Sequence, residues 1–388
     1  MGRPSIRVMT DNFELVNEVS GYSSLFFTRS WHGMGVLNMV INRHVNNGEA
    51  DDLQQGRLIF PANRYDCVFV IEDRSIKLDE DGKESEDWEI TAYEVKFPAT
   101  NRTTLPPDGF DHDEYRGPAE TAMYQFFTNN VISALNGRTE RNIPNIVAAT
   151  DLGRGSESFF QTRFDNLQEL LTEISLFSGL GWVVRYDSGL NKLVFEVLEG
   201  NDRTTSQSIL PPAIFAPDFD TVATMEYRNL RSAYKNVAIV AGPGEGKDRL
   251  MAEAGFSTGW DRREVFIDAR DIPTETGDPP VARPEPDIID DMFERGRQKL
   301  AEMQQELFVK CEALNAGNMA YRVDFDLGDL VTVRNRDWGI TLDARITEVK
   351  EIYEENDERI ELTYDNSIPS LTDKVRKRID NVSVEAKR

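Results

Sequence analysis

The sequence has few residues of the types that build disulfide, metal or nucleophilic sites. Only two cysteines and three histidines occur among 388 residues. Two cysteines cannot form a disulfide framework, so Cys67 and Cys311, which both lie in apolar patterns, are predicted to be buried small hydrophobic residues. Neither has the electropositive sequence setting that favours a reactive thiolate. The chain therefore offers little for nucleophilic or metal chemistry.

Positive charge and long apolar runs are also scarce. Lys and Arg number 44 against 68 Asp and Glu, so the formal net charge is −24. A nucleic-acid-binding surface needs concentrated Lys and Arg, and this balance argues against one. No apolar run approaches the roughly 20 residues of a membrane helix, and the N-terminal sequence lacks the apolar core of a secretion signal. We expect a protein made in a reducing cytoplasm, without stable membrane insertion.

Much of the chain alternates apolar and polar residues, the pattern of half-buried antiparallel strands. Three such runs, at residues 330–333, 340–349 and 360–364, predict a meander with one solvated face. Further runs between residues 6 and 98 follow one another without helices, which favours an antiparallel barrel or sandwich. Strand patterns return from residue 214 to residue 268. The predicted fold class is α+β, mainly antiparallel β.

Helical periodicity marks two other regions. Helices are predicted at 120–135 and 165–178, followed by a hairpin of residues 182–186 and 193–197; Asp165 and Gln168 have the spacing of a capping box. Residues 98–118, rich in Pro and Gly, are predicted to be a linker or exposed loop. A single long helix is predicted from about residue 287 to residue 314, where apolar residues recur every three or four positions.

Several separated segments resemble, in register, a family of siphophage tail hub proteins. They include Phe13-Glu-Leu-Val, the stretch from Ser24 to Gly33, Ile41-Asn-Arg-His, Asp326-Leu-Gly-Asp, and Ala344-Arg-Ile-Thr-Glu-Val. The resemblance implies two tube-type β-barrels in each subunit and a trimer with a pseudo-sixfold ring. It divides the chain into a first barrel (1–100, completed by 208–232), an inserted helix-plus-hairpin domain (101–207), a second barrel (233–285 and 318–370), a long helix packed on that barrel (286–317) and a basic tail (371–388).

Two loops partly resemble ligand-binding motifs. Residues 242–247, Gly-Pro-Gly-Glu-Gly-Lys, follow an apolar strand, but a phosphate loop would require glycine at Ala241 and a hydroxyl residue at Asp248. A dinucleotide fingerprint is one residue short here, so a hairpin tip is predicted instead. Residues 79–87 resemble half a calcium loop, but Lys83 stands where an acidic residue is required. A solvated hairpin tip is again favoured.

The three histidines give no site pattern. His112 lies between acidic residues in the 108–114 loop, but one imidazole among solvated carboxylates is weak support for a metal. His32 and His44 stand near strand ends, and neither belongs to a metalloprotease motif. We therefore predict no catalytic, cofactor-binding or metal-binding residue, and no cofactor.

The predicted function is that of a structural hub closing the distal end of a phage or prophage tail tube, located in the virion. The resemblance implies a homotrimer that contacts a distal tail protein, a tape-measure protein and fibre or tail-tip proteins, with DNA passing through its channel rather than binding specifically. The basic cluster at residues 374–378 is either a solvated terminus or a docking arm. Two alternatives are a peripheral adhesin or carbohydrate-binding module, and a cell-wall-degrading enzyme with its site within residues 99–207.

Overall fold

The computed structural model describes residues 2–45, 48–77, 86–276, 279–304, 306–314, 319–355 and 357–364. Within these residues the fold is mainly antiparallel β with few helices, as predicted. Most of the predicted acidic hairpin tip, residues 78–85, lies outside the described residues, and so does the basic tail. None of the described helices is both long and apolar enough to span a membrane.

The N-terminal part consists of strands whose alternate residues are buried. In the fourth strand, for example, Leu37, Met39 and Ile41 point into the core while their neighbours are partly exposed, which is the pattern of a sheet with one buried face. The strands are β1 (Ile6–Met9), β2 (Leu15–Val19), β3 (Tyr22–Ser30), β4 (Val36–Asn42), β5 (Leu58–Pro61), β6 (Phe69–Ser75) and β7 (Asp87–Glu94).

The middle part contains the predicted helices and hairpin. Its elements are α1 (Lys96–Thr100), β8 (Asp113–Pro118), α2 (Ala119–Phe127, continued by a π turn at Thr128–Ile132), β9 (Ile146–Ala148), β10 (Glu157–Thr162), α3 (Leu167–Ser178), β11 (Gly181–Asp187) and β12 (Lys192–Leu198). The cap of α3 is Asn166, whose side chain accepts from two backbone N–H groups, and not Asp165. The prediction of a linker or exposed loop at residues 98–118 is wrong for its last part, because β8 pairs there with β10.

The C-terminal part returns to strands, interrupted by one helix. Its elements are β13 (Asp202–Arg203), β14 (Ile214–Phe215), β15 (Val222–Leu230), β16 (Val237–Ala241), β17 (Met251–Ala254), β18 (Glu264–Asp268), β19 (Glu275–Thr276), β20 (Val281–Ala282), α4 (Glu285–Glu302), β21 (Glu306–Ala313), β22 (Leu330–Asn335), β23 (Ile340–Tyr353) and β24 (Glu358–Tyr364). The three runs of the predicted meander are β22, β23 and β24, which confirms it.

One large sheet joins the N-terminal and C-terminal strands. Its order among the described residues is β15-β21-β24-β23-β3-β4-β7-β6-β5-β1-β2, with β13, β14 and β22 off this path. The two parts meet where β23 pairs antiparallel with β3. The sheet is open, because its two described end strands, β2 and β15, are not hydrogen-bonded to each other. Closure of either half into a barrel is therefore not seen within one chain.

The predicted helix at 286–317 is too long. Helix α4 ends at Glu302, and β21 pairs with both β15 and β24. A four-residue apolar spacing is also a multiple of two, so Cys311 fits a helical stripe and an alternating strand equally well. In the structure Val309, Cys311 and Ala313 are buried at alternate positions, and the two neighbouring strands decide the outcome.

Strand partners also differ from the prediction. Strands β14 and β15, within residues 208–232, pair with β22 and β21 and so complete the C-terminal part rather than the first region. Strands β16 to β18, within 233–285, form a separate three-stranded sheet. Helix α4 packs on that sheet, where Gly296 permits close approach: a Cβ there would lie 2.6 Å from the Ala254 side chain. Alternation predicts that a strand exists but does not name its partner.

Candidate functional site

The two halves of the large sheet are joined by buried charges. Where β3 pairs with β23, Arg64 makes two hydrogen bonds to Glu351, with Nη1 to Oε2 at 3.1 Å and Nη2 to Oε1 at 2.9 Å. The Glu351 side chain is only 1% exposed and also accepts from the Tyr353 hydroxyl at 2.8 Å. Burial, helped by the charge of Glu351, raises the pKa of Tyr353. This phenol therefore stays neutral and serves as a donor.

Arg29 extends the same cluster. Its guanidinium donates to the Tyr321 hydroxyl at 2.9 Å and to Asp326 at 2.8 Å, and lies 3.1 Å from Asp66. Arg322 also reaches Asp66, at 2.9 Å. We call the set Arg29, Arg64, Asp66, Arg322, Asp326 and Glu351 the ionic joint. It contains three arginines and three acids, so its charges balance.

Trp31 holds three parts of the chain together next to this joint. Its indole Nε1 donates to the Gly179 carbonyl oxygen at 3.1 Å, and its backbone N–H donates to Thr347 O at 2.9 Å. Its ring also occupies the space that side chains at Gly181 and Gly328 would need, with Cβ atoms there only 2.3 and 2.0 Å from ring atoms. Glycine is therefore required at both contacts.

A second joint, between the first β region and the middle part, is apolar. One continuous core combines Phe13 and Phe60 of the first region with Tyr186, Trp182 and many other residues of the middle part. The ring centroids of Phe13 and Tyr186 lie 5.2 Å apart. We call this contact the apolar joint; His32 lies at its margin.

His32 is held as a neutral side chain. Its Nδ1 lies 2.6 Å from Ser175 Oγ, and its carbonyl oxygen accepts from Trp182 Nε1 at 2.9 Å. Burial, with the nearby charges of Arg345 and Lys96, lowers the pKa of His32 to about 3. This histidine therefore acts as a packed hydrogen-bonding group.

The large sheet ends in two strands that no described strand covers on its outer side, β2 and β15. Leu15 and Val16 of β2 are exposed, at 61% and 37%. In the middle of β2, Asn17 donates to Asp52 at 2.8 Å. Strand β15 spans nine residues and contains neither Lys nor Pro, which are common protections of an edge strand against pairing with another chain.

The glycine-rich loop at 242–247 is the predicted hairpin connection. It links β16 to β17, which pair from Ala238–Ala254 to Ala241–Met251. Gly244 has φ +105, and a Cβ there would lie 2.7 Å from Asp248 O. Glycine is thus needed for the turn itself. The Arg249 side chain donates back to the carbonyl oxygens of Ala241 and Gly242, which fixes the loop on its own strands.

His112, His44 and Cys311 lie in three different segments of the chain, each with its own surroundings. His112 is partly buried, and burial lowers its pKa; His44 is near Arg43 on the surface. Cys311 lies 3.1 Å from the Tyr364 hydroxyl, and burial raises its pKa to about 12. No group of three metal-ligating side chains occurs within the described ranges.

Cys67 departs from the sequence-based expectation in one respect. The structure does place guanidinium groups near it, those of Arg64 and Arg29. Burial nevertheless raises the pKa of Cys67 well above its ordinary value, and the arginines offset this only in part. The thiol therefore stays protonated, and Cys67 is buried, as predicted.

Comparisons with known proteins identify related tail proteins. The sequence model of the family described as Siphovirus ReqiPepy6 Gp37-like protein matches residues 5–364. No curated protein sequence matches the chain significantly.

Three crystal structures of tail proteins share the fold. A 43 kDa tail protein of prophage MuSo2 from Shewanella oneidensis has TM-score 0.56 and 12% identity over 93% of this chain and 98% of that one. A tail protein from Neisseria meningitidis MC58 has TM-score 0.54 and 12% identity over 93% and 95%. Prophage tail protein gp18 from Listeria monocytogenes EGD-e has TM-score 0.53 and 11% identity over 97% and 99%.

Proposed function

The chain belongs to the Siphovirus ReqiPepy6 Gp37-like family of phage tail proteins, and from that premise we propose that it is the hub that closes the distal end of a tail tube. Three copies form a ring around the channel through which DNA leaves. A distal tail protein, the end of the tape-measure protein, and fibre or tail-tip proteins are its neighbours in the virion. Its role is structural, without catalysis.

The observation that carries this proposal is the open order of the large sheet. In a single chain β2 pairs only with β1 and β15 only with β21, so the outer edge of each has no strand partner among the described residues. An uncovered strand edge exposes a row of backbone donors and acceptors that another chain can pair with. When β15 of one copy pairs with β2 of the next, the contact is head-to-tail, and a head-to-tail contact generates a ring if its rotation closes. The tube-like barrel is then completed by the assembly.

The strong negative charge suits a channel for DNA. A surface of −24 per chain repels phosphates, so DNA passes a channel lined by part of that charge without binding to its wall. The middle part, residues 101–207, decorates the outside of the ring. A channel lined mainly by Lys and Arg in the assembled particle would contradict this assignment.

The test is to block one edge without disturbing the monomer. In the double variant Leu15→Lys/Val16→Lys, two exposed residues of β2 become lysines, which oppose edge pairing. Light scattering and negative-stain images should show the wild type as a ring with three times the mass of one chain, and the double variant as a monomer.

Leu190→Lys is the matched control, because Leu190 is equally exposed, at 59%, in the turn between β11 and β12. It should leave the ring intact. A wild type that remains monomeric at all concentrations, or an edge variant that still forms rings, would overturn the proposal.

A further inference from the structure

The small sheet of β16, β17 and β18 packs one face on α4, and its opposite face is exposed on the two outer strands. Its inner face packs on α4 through residues that include Ala238, Val240 and Ala254. On the opposite face Met251 and Phe266 are 54% and 62% exposed, and the loop from β17 to β18 adds Phe256 at 86% and Trp260 at 102%. We call Met251, Phe256, Trp260 and Phe266 the aromatic platform. Large exposed apolar side chains gathered on one small sheet and its connecting loop favour an interaction site.

The charged residues around the aromatic platform are paired with one another. Arg262 donates to Glu253 at 3.0 and 2.8 Å and to Glu264 at 2.5 Å. At the other end of the sheet, Arg249 and Arg270 both donate to Asp268. Three arginines thus balance three acids. The platform is a locally neutral surface on a chain whose net charge is −24.

The aromatic platform is continuous with an open edge of the large sheet. Only residues 231–236 separate β15 from β16. The loop that carries Trp260 is fixed to this connection, since Arg263 Nη1 donates to the Arg231 carbonyl oxygen at 2.7 Å and Asn236 Nδ2 donates to the Asp261 carbonyl oxygen at 2.8 Å. A chain that pairs with β15 therefore comes close to the platform.

We propose that the aromatic platform binds a second copy of this chain, as the apolar part of the contact whose backbone part is the β15 edge. The inference rests on the proposed ring. It adds the residues that hold neighbouring copies together: Trp260 and Phe256 are the anchors, and they pack on the neighbour's surface beside its β2, where Leu15 and Val16 are exposed. Trp is one of the residue types enriched among the residues that contribute most to binding at protein interfaces.

Charge and area both favour a second copy as the occupant. Two chains that each carry a net charge of −24 repel each other, so their contact surfaces should carry no net charge, and the platform meets this requirement. A basic partner would require acidic side chains without arginine partners, whereas the acids named above are paired with arginines. Burial of its three aromatic side chains would remove roughly 500 Å² of surface, at 150–250 Å² for each aromatic residue. A stable interface buries roughly 800 Å² per partner, and the β15 edge supplies the remainder.

The test replaces the two anchors and measures self-association. In Phe256→Ser/Trp260→Ser both substituted residues project into solvent, so the monomer should fold normally, which circular dichroism and thermal unfolding verify. Sedimentation equilibrium over a concentration series should show that the double variant associates at least about tenfold more weakly than wild type. The control Leu190→Ser, exposed but remote in sequence and on another sheet, should associate like wild type.

A second readout reports on Trp260 itself. The wild-type tryptophan emission should shift to the blue as protein concentration rises and the ring forms, and Trp260→Phe should lose most of that shift. Normal rings in the double variant would overturn the platform inference and leave the proposed function standing. A wild type that stays monomeric would overturn both.

Discussion

The ionic joint and the apolar joint both hold separate stretches of this chain together, but with opposite chemistry. The ionic joint connects the halves of the large sheet through Arg64, Glu351 and their neighbours, in a place where Glu351 is almost completely excluded from water. The apolar joint connects the first β region to the middle part through aromatic and aliphatic packing. Its margin holds a histidine in the neutral form.

The difference concerns what each joint can tolerate. Burying charged groups is expensive, and their attraction offsets the desolvation only when each charge has its partners. An apolar contact gains free energy in proportion to the area it buries and is not directional. The ionic joint should therefore fail when one charge is removed, and the apolar joint should fail when one charge is added.

The largest effect is expected from Glu351→Ala. This change removes the carboxylate that accepts both hydrogen bonds from the largely buried Arg64 guanidinium, and removing one partner of a buried pair costs about 3–5 kcal/mol. Urea unfolding should show this loss of free energy of unfolding. The matched control is Glu354→Ala on the exposed turn after β23, which should leave stability almost unchanged.

The double variant Arg64→Met/Glu351→Leu sharpens the same comparison. Replacing both charges with apolar residues of similar size is often neutral or stabilising, so the double variant should be more stable than Glu351→Ala. If it is less stable than the single variant, the joint depends on apolar contacts of the Arg64 stem, and the contrast between the two joints fails.

The ionic joint was not visible in the sequence, and the reason is physical. Arg29 lies in β3 and Glu351 in β23. The alternation of each sequence predicts that a strand forms and which residues share a face. It does not predict that these two strands, which are hundreds of residues apart in sequence, pair with each other. Nothing local shows that Arg64, in a loop after β5, meets Glu351 in β23. A signal did exist: strand alternation places Glu351 on the same face of β23 as the apolar residues Val349 and Tyr353, and a charge at such a position needs a buried partner.

Local structure was predicted more successfully than partners. The meander of β22 to β24 and the hairpin of β11 and β12 were correct because turns and alternation are encoded within a few residues. The long helix failed beyond Glu302 because its apolar spacing fits a strand as well. The exposure of the aromatic platform could not be predicted from the sequence, for another reason. Phe256 and Trp260 stand in a loop, where sequence alone does not distinguish a buried aromatic residue from an exposed one.

An intermediate effect is expected when acid adds a charge beside the apolar joint. The pKa of His32 is about 3 in the folded chain, below the roughly 6.5 of an unperturbed histidine. The unfolded chain then binds more protons at intermediate pH. The contribution of neutral His32 to the free energy of unfolding is therefore complete above about pH 6.5 and is lost as the pH falls toward about 3. The slope is up to about 1.4 kcal/mol per pH unit.

His32→Asn isolates this contribution from the carboxylates of the chain. Asn keeps a polar group near Ser175 and cannot titrate. The stability difference between wild type and variant should shrink by roughly 2 kcal/mol between pH 6.5 and pH 4.5. A constant difference would mean that a charge is tolerated beside the apolar joint.

The smallest effect is expected from an ion pair at the surface, which separates the influence of burial from that of charge. Arg7 and Glu18 are directly opposite each other on β1 and β2, with Nε and Oε2 3.2 Å apart and side chains 28% and 43% exposed. Arg7→Met keeps the aliphatic stem and leaves Glu18 in contact with water, so the expected loss is below about 1 kcal/mol. The measurement is urea unfolding of wild type and Arg7→Met at low salt and at 1 M salt. Because salt screens exposed charges, the difference in free energy of unfolding between the two proteins should disappear at 1 M salt. A loss as large as that of Glu351→Ala would show that an ion pair contributes equally whether it is buried or exposed. Burial would then not distinguish the ionic joint from the surface pair of Arg7 and Glu18.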